Sequence, residues 1–297
     1  KQIAPKSFWW IGGATGVLSA FLIMTYYPLV AGWSLGYMFE SVFNWKPMIS
    51  DTAAFFNNYV SGNVKPLIMI IITLILPALT LAGGVAKGIE KWNKILMPAL
   101  AVIIMVLIIR SLTLPGSLEG VKFLFYPDFS KITIQTLLDA LGHSFYSLSV
   151  GMAIMITYGG YIRKDEDLVQ SSVTVCILDT AAALMSGVAI FPAVFALGFE
   201  PDSGAGLAFI TLPKAFATLP GGQIFAALFF LLLTVAALSS MMSLLEVIVA
   251  FFVDEFNINK KKILIVLVVL LFVLGIPSHL SFGPLADFKI FGLTYFD

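Results

Sequence analysis

The sequence predicts an all-α fold, a polytopic bundle of transmembrane helices forming one domain over residues 1–297. Three observations carry that expectation. Of the 297 residues, 59% are hydrophobic and 11% are charged, where soluble domains run near 25% charged. Apolar runs of about 20 residues, long enough to cross a bilayer, recur along the chain. No internal repeat, low-complexity tract or soluble segment interrupts them. The formal net charge is zero, so overall charge selects no partner, and nucleic acid is not expected as one. The one cysteine, Cys176, excludes an intramolecular disulfide and is expected to be a small packing residue in its apolar run. The chain starts at Lys1 without a signal-peptide pattern, and its first run is too long for one. The missing initiator methionine leads us to expect further residues upstream.

Seven runs follow in order. The first, Phe8 to Phe39, is long enough to be strongly tilted or to extend past the bilayer. The second is Pro66 to Ala86 and the third Ile95 to Ile109. The fourth is Ala140 to Ile162, and the fifth runs from Leu168 to Phe199 with Asp179 inside it. The sixth, Ile224 to Val253, contains Glu246, and the seventh is Ile263 to Ile276. Seven spans alternate the sides of the loops. One side collects Lys1 and Lys6, then Lys87, Lys91 and Lys94, then Arg163 and Lys164, then Lys260, Lys261 and Lys262. The loops opposite are longer, with scattered charge. The positive-inside rule puts the N-terminus of this chain in the cytoplasm and its C-terminus outside. The loop at 200–222 is too apolar for an ordinary surface loop. It is expected to form short helices over the outer mouth.

The fourth run draws the most attention. Gly142-His143-Ser144-Phe145-Tyr146-Ser147-Leu148-Ser149-Val150-Gly151-Met152-Ala153 carries three hydroxyls and a glycine where a plain span would be apolar. One reading is a helix broken at mid-membrane. A break strands backbone groups in hydrocarbon unless something satisfies them, and bound ions and substrate can do so. It also offers one helix N-terminus to an anion and one C-terminus to a cation. The other reading is a kinked helix whose serines bond back to their own backbone. The stretch by itself does not separate the two.

Other polar residues stand inside apolar runs. Asp179 and Glu246 are intramembrane carboxylates, which are costly and by default functional, though a structural hydrogen-bonded pair is the alternative. Glu246 suits an inner gate as well as a substrate site. Ser239-Ser240 can meet an ion or serve helix packing. Tyr26-Tyr27-Pro28 places a phenol at mid-membrane, where it needs a polar partner such as a substrate carboxylate or a carbonyl of another helix. His143 and His279 lack zinc-site spacing, and neither a phosphate loop nor a nucleophile–base set is present, so an enzyme is not expected.

Read together and in order, these stretches resemble the neurotransmitter:sodium symporter family, in particular its bacterial amino-acid transporters. The resemblance rests on Tyr26-Tyr27, on Lys87-Gly88-Ile89-Glu90-Lys91 running to Met97-Pro98, and on Phe123-Leu124-Phe125-Tyr126-Pro127-Asp128-Phe129. It continues through Ser147-Leu148-Ser149-Val150-Gly151, Thr157-Tyr158, Tyr161-Ile162-Arg163-Lys164-Asp165, Phe209-Ile210-Thr211-Leu212-Pro213, and Ser239-Ser240 to Asp254-Glu255. Members have about twelve helices built around two inverted repeats, and their broken helices come with the resemblance. This chain resembles the third to ninth of those helices and the approach to the tenth. It is expected to be a fragment whose N-terminal helices, absent here, supply half of the substrate site.

The resemblance implies inward sodium flow coupled to uptake of a neutral hydrophobic or aromatic amino acid across the plasma membrane by alternating access. A membrane receptor or regulatory protein of the same fold, binding without transport, is the alternative. Tyr27 resembles the tyrosine that bonds the substrate carboxylate, and Tyr146 the aromatic lid. Ser149 and Ser240 fall at substrate contacts, with Ile23, Val30, Met152 and Leu244 around the substrate side chain. Ser147 and Asp179 match ligands of a first sodium, and Ala236, Ser239 and Ser240 those of a second. Tyr161, Glu246 and Asp254 resemble cytoplasmic-gate positions. Three residues depart from the family pattern. Met152 replaces phenylalanine, Ala153 replaces glycine, and Asp179 replaces asparagine. With Ala183 one turn after Asp179, the carboxylate can supply the negative charge that chloride supplies in other members, so transport is expected not to need chloride.

Overall fold

The computed structural model describes residues 8–62, 64–83, 85–162, 165–199, 204–289 and 292–296, with backbone alone at 9 and 85–93. Helix α1 (Trp9–Phe43) opens the chain. Its 35 residues reach about 52 Å at about 1.5 Å each, well beyond a hydrocarbon core of about 30 Å. The long first run is therefore one continuous helix, with Pro28 accommodated inside it. The Pro28 carbonyl accepts a hydrogen bond from Thr73 Oγ1 of α4 (Lys65–Ala82) at 3.3 Å. Helices α2 (Trp45–Ser50) and α3 (Thr52–Val60) lie between α1 and α4, the latter capped by Asp51 on the Ala54 N–H.

Helix α5 (Val85–Leu112) starts ten residues before the expected third run. The lysine-bearing stretch read as a loop is helical, because charged residues at the bilayer edge prolong a helix without entering hydrocarbon. The following connection is more ordered than a plain loop. It holds α6 (Ser117–Phe125) and a 3₁₀ turn at Phe129–Lys131 capped by Asp128. The Ser130 hydroxyl and N–H on Asp128 hold that exposed carboxyl below the usual carboxylate range. Thr133 and Thr136 form a reciprocal capping box that starts α7 (Ile134–Ser147).

The fourth run is not one span. Helix α7 stops at Ser147, and α8 (Ile154–Gly159) resumes after six non-helical residues. Of the seven spans expected, six are continuous helices long and apolar enough to cross a membrane, and the remaining one is this broken pair. The others are α9 (Leu168–Ala196), α12 (Gly222–Phe256) and α13 (Lys260–Leu280), besides α1, α4 and α5. Between α9 and α12, α10 (Gly204–Gly206), a π turn (Leu207–Thr211) and α11 (Leu212–Ala217) run together. The described residues are thus all-helical in their regular structure apart from an isolated bridge at Leu293.

Helix α1 lies along α12 and α4 and forms the centre of the bundle. At the loop-rich end an aromatic cluster joins the pieces. The fully buried Trp33 meets Phe56 at 5.6 Å, Phe209 at 5.9 Å and Phe282 at 4.9 Å, each edge-on. Edge-to-face pairs add about 0.5–1.5 kcal/mol beyond their area burial. Phe209 is 1% exposed, so the π turn plugs this cluster rather than lying on the surface. Cys176 corrects an expectation: it is exposed on α9, not packed. Lys1, Lys6, Arg163, Lys164 and the start of the 200–222 loop lie outside the described residues. Lys260, read as a loop charge, is the first residue of α13.

Candidate ion and substrate site at the helix break

The break is built by two residues that end and restart a helix. Val150 N–H bonds to Phe145 O at 2.9 Å and Ser149 N–H to Tyr146 O at 3.1 Å, with Ser149 left-handed at φ 58°. This is a Schellman cap. The same bonding ends α9, where Gly198 takes the left-handed place at φ 71°. A side chain there costs about 1–2 kcal/mol that glycine avoids, so Ser149 retains its hydroxyl at an energetic cost. Ala153 is also left-handed, at φ 58°, and starts α8 without a side-chain cap. Gly16 of α1 makes room for it: a Cβ there would come within 2.8 Å of the Ala153 Cβ. Among the described residues, the carbonyls of 147–152 receive no backbone donor, and the first N–H groups of α8 lack helical acceptors.

The break faces an open pocket of about 450 Å³. Tyr27 of α1 lines it, with Met97 of α5 and His143, Tyr146 and Ser147 of α7. Ser149, Met152, Ile154 and Tyr158 follow from the break and α8, Asp179 from α9, and Ser239, Ser240, Ser243 and Leu244 from α12. Ser147 Oγ donates to Asp179 Oδ1 at 2.6 Å, joining two residues 32 apart in sequence. Ser239 Oγ and Ser240 Oγ donate to the Ala236 carbonyl at 2.8 and 3.2 Å. Three oxygens thus meet on one turn of α12, and each hydroxyl keeps lone pairs for a cation. Tyr27 and Ser240 line the same pocket from α1 and α12. No group of three or more His, Cys, Asp or Glu suited to a metal is found among the described residues.

Nearer the α12–α13 turn, two links tie α8 and the turn after it to α12. Tyr158 and Ser243 share a hydrogen bond of 2.6 Å, and Tyr161 donates to Glu246 Oε1 at 2.8 Å. Glu246 is 1% exposed and also accepts from Lys260 Nζ at 2.9 and 3.1 Å. Asp254, near the end of α12, is exposed.

The structure therefore brings together Tyr27, Tyr146, Ser147, Ser149, Met152, Asp179, Ser239, Ser240 and Leu244. Ile23 and Val30, expected around the substrate side chain, do not line the pocket. Ile23 and Val30 of α1 pack against the bundle core, and Ala236 contributes its carbonyl behind the serines. Tyr27 and Ile23 are one turn apart on α1, and of the two only Tyr27 lines the pocket. Met97, His143, Ile154, Tyr158, Ser243 and Lys260 were not singled out as site residues. A signal existed for one: Ser243 stands four residues after Ser239, on one helix face. Lys260 had no signal, since a lysine beside two others reads as a loop charge.

Six continuous spans, a seventh broken at a polar pocket and paired hydroxyl–carboxylate clusters define a multi-pass membrane protein built around a mid-bundle site. The profile of the Sodium:neurotransmitter symporter family matches residues 57–291, and the chain belongs to that family. It is 37% identical to the uncharacterized sodium-dependent transporter YhdH of Bacillus subtilis, over 100% of this chain and 66% of that protein. An uncharacterized sodium-dependent transporter of Haemophilus influenzae is 36% identical, over 98% of this chain and 65% of its own length. The crystal structure of MhsT in complex with L-phenylalanine superposes with a TM-score of 0.91 at 44% identity, over 99% of this chain and 68% of that one. The chain thus spans about two thirds of the length of the relatives it matches.

Proposed function

We propose that the protein of which this chain is part couples sodium flow to the uptake of a neutral hydrophobic or aromatic amino acid. The observation that carries the reading is the 2.6 Å bond from Ser147, at the end of α7, to Asp179 inside an otherwise uncharged stretch of α9. A carboxylate placed in a membrane span beside a broken helix has a role as a cation ligand that plain packing does not require. Ser147 and Asp179 hold a first sodium, and Ala236, Ser239 and Ser240 a second. Tyr27 and Ser149 meet the substrate's polar end, Tyr146 covers it, and Met152 and Leu244 face its side chain. The pocket offers no fixed positive charge for an acidic side chain. The complex of MhsT with L-phenylalanine supports the aromatic class. The carboxylate of Asp179 replaces chloride, so the transport is chloride-independent.

The end bearing the α12–α13 turn faces the cytoplasm, as the lysine distribution suggests. Tyr161 and Glu246 close the pathway there. The domain is the seven-span unit with its 200–222 loop on the outer side. Radiolabelled phenylalanine uptake by the full-length protein in proteoliposomes tests the reading. Uptake should require a sodium gradient and vanish when potassium replaces sodium. Lysine or glutamate as the strongest competitor would overturn the substrate class.

A further inference from the structure

Glu246 is shared unequally. Its Oε1 accepts from Tyr161 at 2.8 Å and from Lys260 at 3.1 Å, while Oε2 accepts from Lys260 alone at 2.9 Å. The two partners stand on elements of different freedom. Tyr161 follows α8, a six-residue helix separated from α7 by six non-helical residues. Lys260 opens α13, whose 21 residues pack on α1 and α4, and Asn259 caps that start by accepting from the Lys261 N–H. If α8 moves away from α12, the Tyr161 bond breaks and the Lys260 bonds remain. A carboxylate 1% exposed cannot be left alone: an unpaired buried charge is strongly unfavourable, whereas a paired one is tolerated.

We propose that Lys260 is a positioning residue of the gate. It compensates Glu246 whenever Tyr161 lets go, so that α8 can swing at the cost of one hydrogen bond instead of a stranded charge. The proposal rests on the gated-transport reading above. The Glu40–Lys65 pair provides a contrast. Lys65 approaches Glu40 at 3.0 Å but its side chain is 66% exposed, against 27% for Lys260, and Asn44 Nδ2 also donates to Glu40 at 2.7 Å. That pair joins α1 to the start of α4 and involves no element with a broken backbone.

Removing Lys260 makes Tyr161 the sole partner of Glu246, so the gate stays shut longer. In the full-length protein, Lys260→Met should leave the phenylalanine dissociation constant unchanged. It should lower the turnover of phenylalanine uptake about tenfold or more, a tenfold loss being about 1.4 kcal/mol. Lys260→Arg should restore turnover, and adding Glu246→Gln to Lys260→Met should relieve the loss, because charge and partner then leave together. Lys260→Gln keeps one neutral donor and should show a smaller loss, which guards against a folding failure of the methionine variant. Lys65→Met should leave turnover unchanged. A second readout is independent of substrate. With Cys176→Ser and Thr157→Cys, labelling by a membrane-impermeant maleimide from the α12–α13 side should fall in Lys260→Met and return in the double variant. Wild-type turnover and labelling in Lys260→Met, or a loss that Glu246→Gln does not relieve, would overturn the proposal. A wild type that binds no phenylalanine would instead refute the transport reading, and the labelling would still decide the role of Lys260.

Discussion

Replacing Asp179 by asparagine separates charge from geometry at the helix break. The amide keeps an oxygen where Asp179 Oδ1 now accepts from Ser147 at 2.6 Å, and it removes the negative charge. At an effective dielectric constant of about 20, opposite unit charges about 4 Å apart attract by about 4 kcal/mol. Asp179 is half-buried, so solvent screens part of this, and an amide costs less to desolvate than a carboxylate. The net loss should approach that of a charged hydrogen bond, about 1.5–3 kcal/mol, or roughly ten- to a hundredfold in sodium affinity. Ser147→Ala removes a neutral hydroxyl and should cost less. The assay is sodium titration of phenylalanine uptake by the full-length protein, repeated with gluconate in place of chloride. Wild-type uptake should be indifferent to the swap. Asp179→Asn together with Ala183→Ser should make uptake depend on chloride. An unchanged sodium midpoint in Asp179→Asn, or loss of wild-type uptake in gluconate, would refute the charge argument.

Three further outcomes are expected. Tyr27→Phe should weaken phenylalanine binding by about ten- to a hundredfold, the worth of a charge-assisted hydrogen bond, while the protein stays folded; an unchanged dissociation constant in equilibrium binding would reduce Tyr27 to packing. Ser239→Ala should raise the sodium concentration needed for half-maximal uptake, because a methyl offers the ion no oxygen, and a wild-type sodium curve would remove Ser239 from the site. Gly16→Ala should lower thermal stability by forcing α1 off the break, and Ala153→Gly should recover part of the loss by removing the Cβ that lies 2.8 Å from the added one; equal melting temperatures across the set would show that α1 does not brace the break.

The break was legible as a possibility because serines and a glycine interrupt an apolar run, yet the same residues equally suit a kinked helix. The backbone decides between them. Ser149 and Ala153 take left-handed angles that no composition pattern announces, since neither residue favours them. Asp179 was visible by its rarity in a membrane span. Its partner Ser147 could be matched only by resemblance, because 32 residues of intervening chain carry no distance information. Ile23 and Val30 were matched to the pocket and instead sit half-buried against the core without lining it, since which side chains of a helix line a cavity depends on the neighbours around it. Cys176 failed for the same reason in reverse.

Hydropathy and local chemistry are properties of short segments, so the spans, the polar residues inside them and the family could be read from the sequence alone. Which side chains share a site depends on helices packing across large separations in the chain. Only the tertiary structure decided that Tyr27, Asp179 and Ser240 line one pocket and that Lys260, a residue with the pattern of a surface charge, holds the buried Glu246. A lysine's long apolar stem lets its ammonium reach a carboxylate that its position in the sequence does not suggest.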